Sequence, residues 1–136
     1  MEKTHAPPRE NKKTILVVDD DASILAVVSE LLVDGGYNVL TARTGAKGLE
    51  QSRNFKGTID LLLSDFQIPG MSGVDLATVM TQERADIKVL LMSGFTDGML
   101  ILNEGWHFLT KPFVASQLRA LVVGLLSPDK KSRFSD

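Results

Sequence analysis

The run Leu61-Leu62-Leu63-Ser64-Asp65-Phe66-Gln67-Ile68-Pro69-Gly70 passes from three leucines to a carboxylate and then to a Pro-Gly break. So short an apolar run, bounded by Pro69 and Gly70, predicts a strand buried on both faces. Strands of that kind belong to parallel sheets covered by helices, and in open parallel sheets ligands bind at the carboxyl ends of the strands. Asp65 stands at that end, with a rigid strand behind it and a loop restrained by Pro69 in front. A lone aspartate there reads as a turn residue. The case for chemistry comes from the other charged residues that the chain sends to the same edge.

Upstream, Thr14-Ile15-Leu16-Val17-Val18 repeats the pattern and runs into Asp19-Asp20-Asp21. Asp21 can cap a helix in which Ile24, Leu25, Val28, Leu31 and Leu32 recur at helical spacing, and Gly35-Gly36 stops it. Tyr37 to Arg43 reads as a weaker, partly alternating strand. Thr44 then caps a modest helix through Leu49, weakened by Gly48 in its interior. Downstream, Ser72 caps a third helix, with Asp75 in a variant of the capping box and Leu76, Val79 and Met80 on the buried face. Ile87 to Met92 is a fourth strand ending in Ser93-Gly94, and a short helix is expected within 97–104. Trp106 to Thr110 is the fifth strand, ending in Lys111-Pro112-Phe113, and a last helix buries Leu118, Leu121, Val122 and Leu125. Strands alternating with helices in this way predict an α/β fold: a doubly wound, five-stranded parallel sheet with helices on both faces, flavodoxin-like in architecture.

At 136 residues and 43% hydrophobic, the chain is expected to form one domain with a real core. That domain spans 13–126, between polar, net-basic tails at 1–12 and 127–136. A formal charge of −2 gives no bulk attraction for nucleic acid. Cysteine is absent, which excludes a disulfide framework and a thiolate metal site. No apolar run approaches a membrane span or a signal-peptide core, so no membrane association is expected and a cytoplasmic location is the default.

In the usual doubly wound order, the ends of strands 1, 3, 4 and 5 gather around one crevice. They bring the acids Asp19 to Asp21, Asp65, Ser93 and Lys111 together. Clustered carboxylates repel one another unless a cation joins them. Oxygen ligands of this type suit a hard ion, most naturally Mg²⁺, and with the ion bound an anion becomes welcome. A phosphoryl group then finds Asp65 as nucleophile, Lys111 to neutralise its oxygens and Ser93 as a hydroxyl donor. Singly, Ser93 reads as a strand-end hydroxyl, Lys111 as a solvated charge and the acidic run as a complement to a helix dipole. Each at the end of its own strand, they make coincidence improbable.

The segments ILVVDDD at 15–21, LLLSDFQIPGMSG at 61–73, VLLMSG at 89–94 and FLTKPF at 108–113 together resemble the receiver domain of two-component response regulators. The resemblance covers nearly the whole folded region. It implies that Asp65 is the phosphoacceptor, that Asp20 binds Mg²⁺ directly and that Asp19 assists through water. Gln67 falls where the family supplies a backbone carbonyl to the ion. Ser93 matches the switch hydroxyl and Lys111 the phosphate-binding lysine. Lys111-Pro112 is implied to be a cis peptide, and Phe108 occupies the position of the aromatic switch residue, without the hydroxyl that many members carry there. The resemblance further implies a phosphoryl donor that is a sensor histidine kinase or a histidine phosphotransfer protein. It also implies a protein that is not an enzyme beyond its own phosphorylation and dephosphorylation. The stretch from Ser93 to Lys111 is about one helical turn shorter than the family more often has. That shortening resembles receivers attached to hybrid histidine kinases and puts the usual output surface in doubt.

Two other readings stay open on the residues alone. Asp19-Asp20-Asp21-Ala22-Ser23 nearly fits the D-x-D-x-[TV] nucleophile pattern of haloacid-dehalogenase-type phosphatases. A flavodoxin-like electron carrier would share the fold, although its flavin phosphate would meet an acidic loop after strand 1. The last helix is apolar nearly all round, and opposite Leu118 and Leu125 it carries Ser116, Ala120 and Val123. That face, beside the shortened 97–104 segment, is expected to dock a partner helix or a second copy of the domain, as a homodimer.

Overall fold

A computed structural model of the chain describes residues 12–94 and 106–127. Its elements are β1 (Thr14–Val18), α1 (Ala22–Asp34), β2 (Asn38–Ala42), α2 (Gly45–Asn54), β3 (Leu61–Asp65), α3 (Gly73–Glu83), β4 (Lys88–Ser93), β5 (Trp106–Thr110) and α4 (Ala115–Leu126). The strands form one sheet in the order β2-β1-β3-β4-β5, every neighbouring pair parallel. All five therefore end on the same edge. The direction of winding reverses between β1 and β3, which puts the switch point of the sheet beside Asp65. The helix expected within 97–104 lies outside the described residues.

Alternation along the buried strands divides the core into two layers. Leu16, Val18, Leu62, Val89 and Leu91 point to one face and pack with Leu49 of α2 and Leu76, Ala77 and Met80 of α3. Ile15, Val17, Leu61, Leu63, Leu90 and Met92 point to the other and pack with Leu25, Val28 and Leu32 of α1 and Leu118, Val122 and Leu126 of α4. This is the two-sided covering that the short, unalternating apolar runs demand.

The helix starts are built as their residues dictate. Asp21 Oδ1 accepts from the amides of Ser23 at 2.9 Å and Ile24 at 3.3 Å, so the last acid of the strand-1 run caps α1. Ser72 and Asp75 close a reciprocal capping box on α3. The sheet edges shift by one residue from expectation, with β2 beginning at Asn38 and β4 running from Lys88 to Ser93. The larger difference is α2, which continues past Leu49 to Asn54. Gly48 does not weaken it as its propensity predicts, because a Cβ at that position would lie 3.1 Å from Val18 Cγ2. The absent side chain lets α2 lie close on β1, and the contact offsets a helix cost of about 1 kcal/mol.

Candidate functional site

Three carboxylates and one ammonium meet where the parallel strands end. Asp19 and Asp20 follow β1, Asp65 is the last residue of β3, and Lys111 follows β5. One carboxylate oxygen from each of Asp19, Asp20 and Asp65 lies within 4.8 Å of the others. Lys111 Nζ stands 3.2 Å from Asp19 Oδ2 and 3.2 Å from Asp65 Oδ1.

The acids are not equivalent. Asp19 is fully buried, and both of its oxygens are held: Oδ1 accepts from the Asp21 amide at 2.9 Å and Oδ2 from Lys111. Asp65 is partly buried; its Oδ1 accepts from the Phe66 amide at 3.0 Å, while among the described residues nothing donates to its Oδ2. Asp20 is exposed, and among the described residues its carboxylate has no donor. Burial pushes the Asp65 carboxyl above its ordinary pKa, with Lys111 opposing and the Asp19 charge reinforcing the rise. Burial alone would lower Lys111, but the Asp65 and Asp19 carboxylates outweigh it and hold the ammonium above its ordinary value. The cluster remains net negative and all-oxygen, and one of its acids is unengaged. That donor set fits a hard divalent cation such as Mg²⁺.

The other residues expected at the site lie on the strands and loops next to this cluster. Ser93 is buried at the end of β4, and its carbonyl accepts from the Lys111 amide at 2.7 Å. Phe108 is half-buried on β5 in register with Leu91, so it lies on the same sheet face as Ser93, two residues further along β4. Gln67 is exposed in the β3–α3 loop and its backbone bridges Ser72. The Lys111–Pro112 peptide is cis. Ser93, Gln67 and the Lys111–Pro112 peptide end or follow strands at that edge, while Phe108 sits mid-strand on β5.

Other contacts there were not legible in the residue pattern. Arg43 Nη2 donates to the Asp20 carbonyl at 3.0 Å, and its only sequence signal is its position just past β2. Gly73 opens α3 so close to β3 that any Cβ would collide with the Asp65 carbonyl. Beside Lys111, an apolar cavity of about 540 Å³ is lined by Ile24, Val27 and Val28 of α1 and by Pro112 and Phe113.

The geometry also bears on the rival readings. The D-x-D pattern would assign nucleophilic work to Asp19 or Asp21. Asp19 is buried with both oxygens engaged, and Asp21 caps α1. The loop that would grip a flavin phosphate carries three aspartates instead. Neither rival is favoured.

Comparison with known proteins agrees. The sequence model of the family described as "Response regulator receiver domain" matches residues 15–123. The "Alkaline phosphatase synthesis transcriptional regulatory protein PhoP" of Bacillus subtilis is 32% identical over 85% of this chain and 49% of its own length. "Sensor kinase CckA" of Brucella abortus is 30% identical over 83% of this chain and 12% of its own. A crystal structure of a CheY-like response regulator receiver domain protein from Methanospirillum hungatei superposes with a TM-score of 0.80 at 28% identity, covering 90% of this chain and 99% of that one. The chain thus spans about half the length of the first of these two relatives and about an eighth of the second. What it shares with them is one receiver unit, found both in response regulators and in hybrid kinases, and such units generally bind Mg²⁺ at an acidic pocket. With fold, edge chemistry and sequence match in agreement over most of its length, the chain belongs to the response regulator receiver domain family of two-component systems.

Proposed function

We propose that this receiver takes a phosphoryl group from a phosphohistidine onto Asp65, in a Mg²⁺-dependent reaction, and signals by a change of conformation. One observation carries the reading: Lys111 Nζ stands 3.2 Å from both Asp19 and Asp65, and of those two acids only Asp65 keeps an oxygen without a donor among the described residues. Asp65 Oδ2 attacks phosphorus, the P–N bond breaks, and its electron pair leaves with the imidazole nitrogen, which then takes a proton from water. Lys111 neutralises charge on the phosphoryl oxygens, and the Phe66 amide, which also donates to the Met92 carbonyl at 2.7 Å, helps to hold Asp65 Oδ1.

Asp20, Asp65 and the Gln67 backbone carbonyl are the direct holders of Mg²⁺ in this reading, with Asp19 acting through water. When bound, the ion relieves repulsion among the carboxylates and supplies positive charge to the phosphoryl oxygens. In this reading the chain catalyses nothing beyond its own phosphorylation and dephosphorylation. The donor is a sensor histidine kinase or a histidine phosphotransfer protein, and the apolar cavity bordered by Lys111 offers it a hydrophobic footing beside the acceptor. After transfer, the Ser93 hydroxyl moves to the phosphoryl oxygens and Phe108 enters the space it leaves. A full switch of populations requires a bias of roughly 5 kcal/mol, of which charge-assisted hydrogen bonds from Ser93 and Lys111 supply a part. The exposed face of α4 with Ser116, Ala120 and Val123 is the output surface.

The test is incubation of the full chain with a small acyl-phosphate donor and Mg²⁺, followed by mass spectrometry. One phosphate on Asp65 is expected. A chelator, Asp65→Asn and Asp20→Ala should each abolish it. Ser93→Ala should still accept phosphate but respond weakly in the fluorescence of Trp106, which lies two residues from Phe108 on the same strand. Phosphate on another residue, or labelling indifferent to the chelator, would overturn the assignment.

A further inference from the structure

Asp20 poses a problem that Asp19 does not. The carboxylate of Asp19 is fixed at both oxygens, whereas among the described residues nothing donates to that of Asp20, which faces solvent. Its place in the cluster therefore depends on its backbone. On one side, the Asp19 amide donates to the Ala42 carbonyl at 3.2 Å. On the other, Asp21 is held by its amide on Asp19 and by its cap on α1. Between them, the Asp20 carbonyl accepts from Arg43 Nη2 at 3.0 Å. Arg43 directly follows Ala42, so the end of β2 grips the acidic loop twice, once through backbone and once through a guanidinium.

We infer that Arg43 is a positioning residue for the divalent cation, bracing the Asp19–Asp21 loop through the Asp20 carbonyl so that the Asp20 carboxylate stays in the cluster. The inference rests on the Mg²⁺ reading above. Among the described residues Arg43 forms no ion pair with a carboxylate, and its neighbour Lys47 pairs with Glu50 at 3.6 Å. A cation beside a metal site has two opposed effects: its charge repels the ion, while its hydrogen bond orders the ligand. Arg43 is exposed, so water and salt screen its charge, whereas the hydrogen bond acts on a ligand that has no other side-chain support. Ordering wins. Partners that orient metal ligands typically change affinity by 10- to 100-fold when removed, and a single exposed bond belongs at about tenfold.

The experiment is calorimetric titration of the full chain and of Arg43→Ala with MgCl₂, at low and at high salt, beside melting curves in chelator. Arg43→Ala should bind Mg²⁺ about tenfold more weakly at both salt levels. Its metal-free melting temperature should stay within about 2 °C of the parent, as befits an exposed side chain. Affinity that is unchanged or tighter in Arg43→Ala overturns the inference while leaving the metal reading standing. So does a loss of affinity matched by a comparable fall in metal-free stability. Absence of Mg²⁺ binding by the parent chain overturns the metal reading and this inference together.

Discussion

At Asp65, folding and chemistry pull in opposite directions. Burial raises its pKa and Asp19 adds to the rise, so the ionised form that the proposed transfer needs is the form the fold disfavours. An acid whose folded pKa lies above its unfolded value binds more protons folded than unfolded between the two. Stability therefore falls as pH rises through that window, and the penalty is complete above the folded pKa. Asp65→Asn removes the titrating charge. In chelator it should melt higher than the parent at pH about 7, and the gap should close as pH approaches the unfolded carboxylate value of about 4. A calorimetric series across that range decides the matter, and an equal or lower melting temperature at neutral pH contradicts the account. Lys111 runs the other way. Its raised ammonium supports the fold below its ordinary range, and that support is lost as pH climbs through its folded pKa.

Among the elements, α2 owes its end to a residue on another helix. Arg84, capping α3, sends Nε to Ser52 Oγ at 2.9 Å and Nη2 to the carbonyls of Ser52 at 2.9 Å and Phe55 at 3.0 Å. Its Nη1 reaches the Gly57 carbonyl at 2.9 Å. The Ser52 carbonyl also accepts from the Phe55 amide at 3.2 Å, so Arg84 reinforces the last turn of α2 and ties down the loop that follows it. Arg84→Ala should cost about 2 kcal/mol in urea denaturation, from several partly buried, charge-assisted bonds. Arg53, whose ion pair with Glu83 is solvent-exposed, should matter far less when changed to Ala. A reversed order of the two variants would contradict this account of how α2 ends. The same element marks the limit of what the residues disclose. The strands were legible because their apolar runs end in Asp19, Asp65, Ser93 and Lys111, and α1 and α3 because Asp21 and Ser72 are local caps acting within three residues. The last turn of α2 was not, since Gly48 reads as a helix weakener until Val18 lies against it and Arg84 acts from some thirty residues away. Arg43 escaped for the same reason: its partner is a backbone carbonyl on a different loop, and no periodicity encodes that.

For the molecule as a whole, the proposed acceptor and the proposed output face occupy different surfaces, the acid–lysine cluster at the sheet edge and the outer face of α4. Val123 there is 49% exposed, and Ser116 and Ala120 are exposed beside it. Ala120→Glu combined with Val123→Glu should leave labelling of Asp65 intact while abolishing self-association or partner binding, measured by sedimentation of the phosphorylated chain. Association that survives the double variant would remove α4 from the interface. The parallel register has one more effect. Because every strand must run the same way, no two of the charged groups come from one hairpin, and Lys111 meets Asp19 across 92 positions of chain. A nascent or clipped polypeptide that lacks β5 holds the aspartates but not their lysine. Under the proposed reaction, uptake of phosphate would require that synthesis has passed Lys111 and that the last strand has docked, so a half-made copy would stay silent instead of sending a false signal.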